Sequence, residues 1–236
     1  MIDLYAAGSP NVVRVIIALE EMGLPYQAKP IDIFRGAQFD AAFRKLNPLA
    51  KVPVIVDADG PGGKPYTVIE SGAILLYLAD KSGKLLPTDK VAHFDAVQWM
   101  IQAVTNLGPM LGQFVHFMRF ARQGNDYSFS RYRTQVHRVL EVAEQRLGAS
   151  PWLGGADYTI ADIAWFPWVR NVGALMGAED AARYPNLAAW VKRIDARPAV
   201  AAALAKTDDI RGQITASDKG EADTMDKIFG RGSYAA

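Results

Sequence analysis

The stretch that decides the fold is Asn47-Pro-Leu-Ala-Lys-Val-Pro-Val-Ile-Val-Asp57, followed after a turn by Tyr66-Thr-Val-Ile-Glu-Ser-Gly-Ala-Ile-Leu-Leu-Tyr-Leu-Ala79. The β-branched run over 52–57 predicts a strand opened by proline, and three glycines between residues 58 and 64 predict a turn. Residues 66–69 predict the next strand, and the apolar segment 71–81 predicts a helix with Ser71 as its N-cap. These elements form half of a mixed sheet that carries helices on its faces.

The residues before this stretch predict the other half of the sheet. A short apolar strand over 2–5 precedes a helix over 12–21, whose apolar residues form one broad face and for which Ser9 is the expected N-cap. Residues 26–33 predict a second strand. That strand should lie at a sheet edge, because Pro30 cannot donate a hydrogen bond to a neighbour.

Beyond residue 90 only helical patterns remain. The apolar segment 91–117 predicts a long helix with a break at Gly108-Pro109. Thr159-Ile-Ala-Asp162 has the spacing of a capping box in front of the apolar segment 163–175, although Asp replaces the usual Glu or Gln. The sequence thus predicts an α/β domain over 1–83, an all-helical domain over 91–207 and, where apolar residues become sparse, a C-terminal tail over 208–236.

Composition excludes several classes of function. The chain has 236 residues, 26 Lys plus Arg against 25 Asp plus Glu, and no cysteine. The near-neutral charge argues against a dedicated nucleic-acid or membrane binder, and the missing thiols exclude disulfides, cysteine nucleophiles and cysteine-built metal sites. The three histidines show no metal-binding spacing and no phosphate loop is present, so neither a metal nor a nucleotide is expected. Without a signal peptide or a membrane-length apolar run, a cytoplasmic location is expected.

Two segments could bind a peptide-like ligand. Glu70-Ser71-Gly72 enters a helix; it is either an ordinary cap or a carboxylate site, with Glu70 available for an ammonium group. Together those groups would suit the head of an α-amino acid. Val52-Pro53 is trans on local sequence grounds alone, whereas a cis bond would turn the Val52 backbone groups outward toward a peptide.

Ser9-Pro10-Asn11 is a third candidate. It is either a plain helix cap or a pair of donors for a thiolate ligand. Hydrogen bonds to an anion favour its charged form and lower its pKa, so such donors would activate a thiol.

Taken in order, these segments resemble the glutathione transferase family. The helical half agrees, with Pro151-Trp-Leu-Gly-Gly155, Tyr158-Thr-Ile-Ala-Asp-Ile-Ala164 and Arg197-Pro198. The likeness covers about residues 1–207. Ser9-Pro10-Asn11, Gly36-Ala-Gln-Phe39 and Leu107-Gly-Pro-Met-Leu-Gly-Gln113 look most like the bacterial Nu class, whose signature is disulfide-bond reductase activity. That class usually has Thr-Pro-Asn, and here Ser9 keeps the hydroxyl.

The resemblance implies a fold, an assembly and a set of site residues. It implies a thioredoxin-like domain with a C-terminal helical bundle domain, a homodimer and a cis Val52-Pro53 bond. The residues implied to bind glutathione are Glu70 and Ser71 for the γ-glutamyl end, the Val52 backbone for the cysteinyl amide with Pro53 beside it, Lys51 for the glycyl carboxylate, Gln38 and Asn47 nearby, and Arg131 from the helical domain. Ser9 and Asn11 are implied to face the sulfur as the catalytic pair.

The implied function is glutathione-dependent reduction of a small disulfide, with glutathione or glutathione disulfide in the site. In place of the disulfide, the second substrate could also be a peroxide or an electrophile. Two alternatives stay open: conjugation of glutathione to hydrophobic electrophiles in a pocket lined by Phe114, Phe117 and their neighbours, and a non-catalytic ligand-binding module. Because the chain lacks cysteine, every redox sulfur would have to come from the ligand.

Overall fold

A computed structural model describes residues 1–121 and 123–231 of the chain. Contacts divide the chain into two compact units. Among the described residues, the first unit combines residues 1–78 with residues 202–231, and the second holds residues 79–201.

The first unit is built on a four-stranded mixed sheet. Its strands are β1 (Ile2–Ala6), β2 (Tyr26–Pro30), β3 (Val54–Asp57) and β4 (Tyr66–Ile69), in the order β2-β1-β3-β4. Strands β1 and β2 are parallel, and the other two pairings are antiparallel. This is the expected thioredoxin-like arrangement. Strand β2 lies at the edge, as Pro30 requires, and it ends at that proline instead of continuing to residue 33.

Three helices accompany the sheet: α1 (Pro10–Met22), α2 (Ala41–Leu46) and α3 (Ser71–Ser82). Helix α1 begins after Ser9, and Gly23 ends it in the left-handed conformation, at φ 69°. Residues 12–19 are all buried, so this helix is enclosed on every side and not on one face only.

The second unit is helical, with α4 (Lys90–Gln102), α5 (Gly108–Arg119), α6 (Asp126–Ala149), α7 (Ile160–Val169), α8 (Val172–Met176), α9 (Ala178–Ala181) and α10 (Pro185–Asp195). The break expected at Gly108-Pro109 is replaced by one π-helical segment, Ala103–Leu107, directly before α5. Proline has no N–H, and its ring crowds the carbonyl four residues earlier, so widening the preceding turn relieves the clash.

The capping box of α7 is confirmed. Thr159 accepts from the Ala161 N–H, and the carboxylate of Asp162 accepts from the Thr159 N–H at 3.0 Å. The same buried carboxylate also accepts from the Leu153 N–H at 2.9 Å and from Trp190 Nε1 at 2.8 Å. The apolar segment expected as one helix over 163–175 is instead divided between α7 and α8.

The C-terminal segment differs from the expected tail. Helix α11 (Pro198–Gly212) extends into it, and α12 (Ala222–Phe229) follows. The Thr215 N–H and hydroxyl both donate to the Asp32 carboxylate, at 3.1 and 2.7 Å, and the Lys227 ammonium lies 4.3 Å from the centre of the Phe39 ring. Polar and cation–π contacts thus hold a segment that its low apolar content did not mark as structured. No helix in the described ranges is long and apolar enough to span a membrane.

Candidate functional site

Three loops of the first unit leave the sheet at the same end. In the strand register Tyr5 pairs with Val54, and Val54 pairs with Ile69. The C-terminal end of β1, the N-terminal end of β3 and the C-terminal end of β4 are therefore adjacent at one end of the sheet. Ser9, Val52 and Glu70 lie on these three loops, each within a few residues of the sheet.

The loop after β1 presents the Ser9 hydroxyl. Ser9 occupies the N-cap position of α1, and its carbonyl accepts from the N–H groups of Val12 and Val13, each at 3.0 Å. Its side chain makes no capping hydrogen bond, so the hydroxyl is not consumed by the helix. Asn11 follows in the first turn and is half-buried.

An arginine on α11, outside the predicted set, contacts this loop. Arg211 Nη2 donates to the Gly8 carbonyl at 2.9 Å, and Nη1 binds the Asp208 carboxylate at 2.9 Å. A Cβ atom on Gly8 would lie 2.6 Å from Arg211 Cγ, so only glycine fits beside this side chain as it stands. Sequence reading missed Arg211 because it lies 203 residues from Gly8 in the segment predicted as a tail.

The loop before β3 contains the cis Val52-Pro53 bond that the resemblance implied. Asn47 is buried within this loop; its Nδ2 donates to the Lys51 carbonyl at 2.8 Å, and its Oδ1 accepts from the Leu49 N–H at 3.1 Å. The amide of Asn47 thus shapes the loop that presents Lys51 and Val52. The Lys51 side chain is exposed.

The loop after β4 places Glu70 in an uncommon backbone conformation. Glu70 is exposed and has φ 66°, in the left-handed region, where a non-glycine residue costs about 1–3 kcal/mol. Its carbonyl accepts from the Ile74 N–H at 2.9 Å, so Glu70 directly precedes α3. The prediction of Ser71 as N-cap is wrong by one residue, since Ser71 is the first residue of the helix.

Two buried side chains of the first unit have unsatisfied polar atoms within the described part of the chain. Gln38 is 4% exposed, and its Oε1 has no hydrogen-bond partner. Arg14, on α1, is completely buried; its Nη1 donates to Ser71 Oγ at 3.3 Å, while Nε and Nη2 have no partner. Buried polar groups in folded proteins are normally paired, so the unsatisfied atoms of both residues are unusual.

The remaining predicted residue is Arg131, which is exposed on α6 of the second unit. Within the described ranges, no cluster of three or more His, Cys, Asp or Glu side chains could hold a metal ion. The assembled groups are hydroxyls, amides, one lysine, one carboxylate and a helix N-terminus. These groups can bind and orient a zwitterionic peptide, and they can stabilise an anion next to Ser9.

A thioredoxin-like unit that presents these three loops, followed in the chain by a helical unit, defines the broad class. Comparison with known proteins identifies the family within this class. Residues 8–81 match the family model described as glutathione S-transferase, N-terminal domain, and residues 126–193 match that of the C-terminal domain. The chain belongs to the glutathione transferase family.

Individual relatives agree with this membership. The chain is 43% identical over 207 residues to the disulfide-bond oxidoreductase YfcG of Escherichia coli, covering 87% of this chain and 95% of that protein. It is similar to a Pseudomonas fluorescens family member crystallised with two glutathione bound, at TM-score 0.82 and 40% identity, covering 86% and 92% of the two chains. A Pseudomonas putida glutathione transferase with one glutathione disulfide bound per subunit gives TM-score 0.81 at 36% identity, covering 86% and 90%.

Proposed function

We propose that this protein is a glutathione-dependent disulfide-bond reductase whose redox sulfur comes entirely from the ligand. The observation that carries the proposal is the convergence of the Ser9, Val52 and Glu70 loops at one end of the sheet. The name of YfcG and the glutathione or glutathione disulfide in the two related structures support the same chemistry. The sequence contains no cysteine that could take part.

In this proposal the loops divide glutathione between them. Glu70 binds the γ-glutamyl ammonium, and Ser71 binds the neighbouring carboxylate at the N-terminus of α3. The Val52 backbone pairs with the cysteinyl amide. Lys51 binds the glycyl carboxylate, with Gln38 and Asn47 nearby, and Arg131 of the helical unit is the last residue of the proposed set.

The reaction consists of two thiol–disulfide exchanges. A glutathione thiolate attacks one sulfur of the substrate disulfide, which forms a mixed disulfide and releases the first substrate thiolate. A second glutathione thiolate attacks the glutathione sulfur of that mixed disulfide. This step releases glutathione disulfide and the second substrate thiolate, so two glutathione thiols are oxidised while one disulfide is reduced. Ser9 and Asn11 stabilise the attacking thiolate, and the loops orient it.

The test is glutathione-coupled reduction of hydroxyethyl disulfide by the full chain, with conjugation of a chloronitrobenzene measured in parallel. We expect disulfide reduction far above the uncatalysed rate and above conjugation. A rate no greater than that of the uncatalysed reaction contradicts the proposal. Faster conjugation assigns the chain to the electrophile-conjugating alternative, and glutathione binding without either reaction assigns it to the binding-module alternative.

The structure weakens the conjugating alternative at one of its two named residues. Phe114 is only 2% exposed and packs against Phe129, with ring centroids 5.3 Å apart. Phe117 is half-buried and stacks on Tyr132 at 5.5 Å. Phe114 therefore belongs to the core of the helical unit, so an acceptor pocket would have to be lined by Phe117 and other neighbours.

We also infer that the protein is a homodimer. Val91, Phe94 and Ile101 are 74%, 60% and 45% exposed and share one face of α4. Large exposed apolar groups clustered in this way are typical of a protein contact surface. Light scattering should give about twice the chain mass of 25.8 kDa, and a mass equal to one chain contradicts the dimer.

Nu-class membership and a cytoplasmic location complete the proposal. Ser9-Pro10-Asn11 supports the class, and the paired reductase and conjugation assays test it. The location follows from the reaction, which needs the reduced glutathione pool of a reducing compartment. Recovery of the native protein from a secreted or membrane fraction contradicts that location.

A further inference from the structure

Arg14 is a buried cation for which the described part of the chain provides no counter-charge. Its side chain lies on α1, one helical turn after Asn11, and is 0% exposed. Its Nη1 donates a hydrogen bond to the neutral hydroxyl of Ser71 at 3.3 Å. The other two nitrogen atoms, Nε and Nη2, are buried and have no partner among the described residues.

An unpaired buried charge lowers the stability of the folded protein. Removing an ion from water without a partner costs several kcal/mol, and buried charges in proteins are normally paired. Burial lowers the pKa of Arg14 to about 9, which is still above neutral pH, so the guanidinium stays charged under ordinary conditions. An apolar residue would fill this place in α1 at no such cost, so the charge itself needs an explanation.

The hydrogen bond to Ser71 indicates where the charge of Arg14 acts. Ser71 is the first residue of α3, where the free N–H groups and the helix dipole already favour an anion. A serine hydroxyl has one proton and two acceptor positions. Because Arg14 donates to Ser71 Oγ, the hydroxyl proton of Ser71 remains available to donate to a ligand.

We propose that Arg14 is a positioning residue that sets Ser71 as a donor and supplies the positive charge that compensates the γ-glutamyl α-carboxylate of glutathione. The inference rests on the proposed glutathione site and extends it behind the surface that the ligand touches. Arg14 acts through Ser71, and its charge is compensated when the carboxylate is bound.

The test measures ligand preference, which a purely structural role would leave unchanged. Calorimetric titration compares glutathione with 4-aminobutyryl-cysteinyl-glycine, which lacks only the γ-glutamyl α-carboxylate. Hydrogen bonds to charged groups contribute about 1.5–3 kcal/mol, so Arg14→Met should weaken glutathione binding about 10- to 100-fold. Binding of the analogue should change less than about 3-fold, so the preference for glutathione collapses.

Two variants act as controls. Lys45→Met removes one positive charge from an exposed position on α2 and should leave the preference unchanged. Arg14→Lys keeps the charge and should retain most of the preference. If Arg14→Met fails to fold, Arg14→Gln takes its place under the same criterion.

Equal weakening of both ligands, or an unchanged preference in the neutral Arg14 variant, overturns the inference while leaving the glutathione site intact. Failure of the wild-type protein to bind glutathione at all overturns the proposed function and this inference with it. The wild-type titration thus separates the two failures.

Discussion

Replacing Asp162 with Ala is expected to lower the free energy of unfolding by about 4 kcal/mol, because three buried N–H donors would lose their acceptor. These donors are the N–H groups of Leu153 and Thr159 and the indole of Trp190, all within 3.0 Å of the carboxylate. Burial raises the pKa of Asp162, and the three donors act in the opposite direction by favouring its charged form. In a chain of this size the loss corresponds to a fall in Tm of roughly 8–16 °C, which thermal unfolding followed by circular dichroism would measure.

Two further variants test whether the lost hydrogen bonds cause the loss of stability. Asp157→Ala removes an exposed carboxylate from the loop just before α7 and should change stability by no more than about 0.5 kcal/mol. Asp162→Asn keeps one carbonyl acceptor and should fall between the wild type and Asp162→Ala. A Tm for Asp162→Ala within 2 °C (~0.5–1 kcal/mol) of the wild type would show that the carboxylate does not hold these segments together.

Asp162 also shows how far a local pattern can predict structure. The Thr-x-x-Asp spacing predicted the capping box, because both residues belong to one helix turn. It could not predict Trp190, which is 28 residues away and reaches the carboxylate only after α10 has packed against α7. Local chemistry was therefore predictable, whereas the tertiary partner was not.

In the candidate site, too, the local elements could be predicted from the sequence and other features could not. The strands, the turn before β4 and the order of the loops followed from proline, glycine and apolar spacing. The cis Val52-Pro53 bond did not, since an isolated X-Pro pair favours trans, and only the family resemblance implied it.

Arg14 was missed although the sequence contained a signal. It is a lone charge between Val13 and Val15, inside a helix predicted to bury one broad face. Burial of residues 12–19 on all sides depends on packing that a helical periodicity does not encode. The C-terminal segment was misjudged for a related reason, because its contacts with Asp32 and Phe39 are mostly polar or cation–π.

Replacing Asn11 with Ala is expected to slow glutathione-coupled disulfide reduction by about 100-fold, since a donor aimed at a developing anion is worth two to three powers of ten in rate. The physical cause is the state of the bound thiol. A hydrogen bond to a thiolate favours the charged form, so losing one should raise the pKa of bound glutathione by about 1. The ultraviolet absorbance of the bound thiolate, followed against pH, measures that change independently of turnover.

The control for this prediction is Asn186→Ala, which removes an exposed asparagine from α10 and should leave both the rate and the thiolate titration unchanged. Ser9→Ala provides a second test in the same loop, because its hydroxyl is not used to cap α1. If each variant raises the thiol pKa by a part of the total, the two donors share the anion. If Asn11→Ala slows the reaction while the titration stays unchanged, Asn11 orients the sulfur and does not stabilise its charge. If neither the rate nor the titration changes, Asn11 has no role in the reaction and the catalytic assignment is wrong.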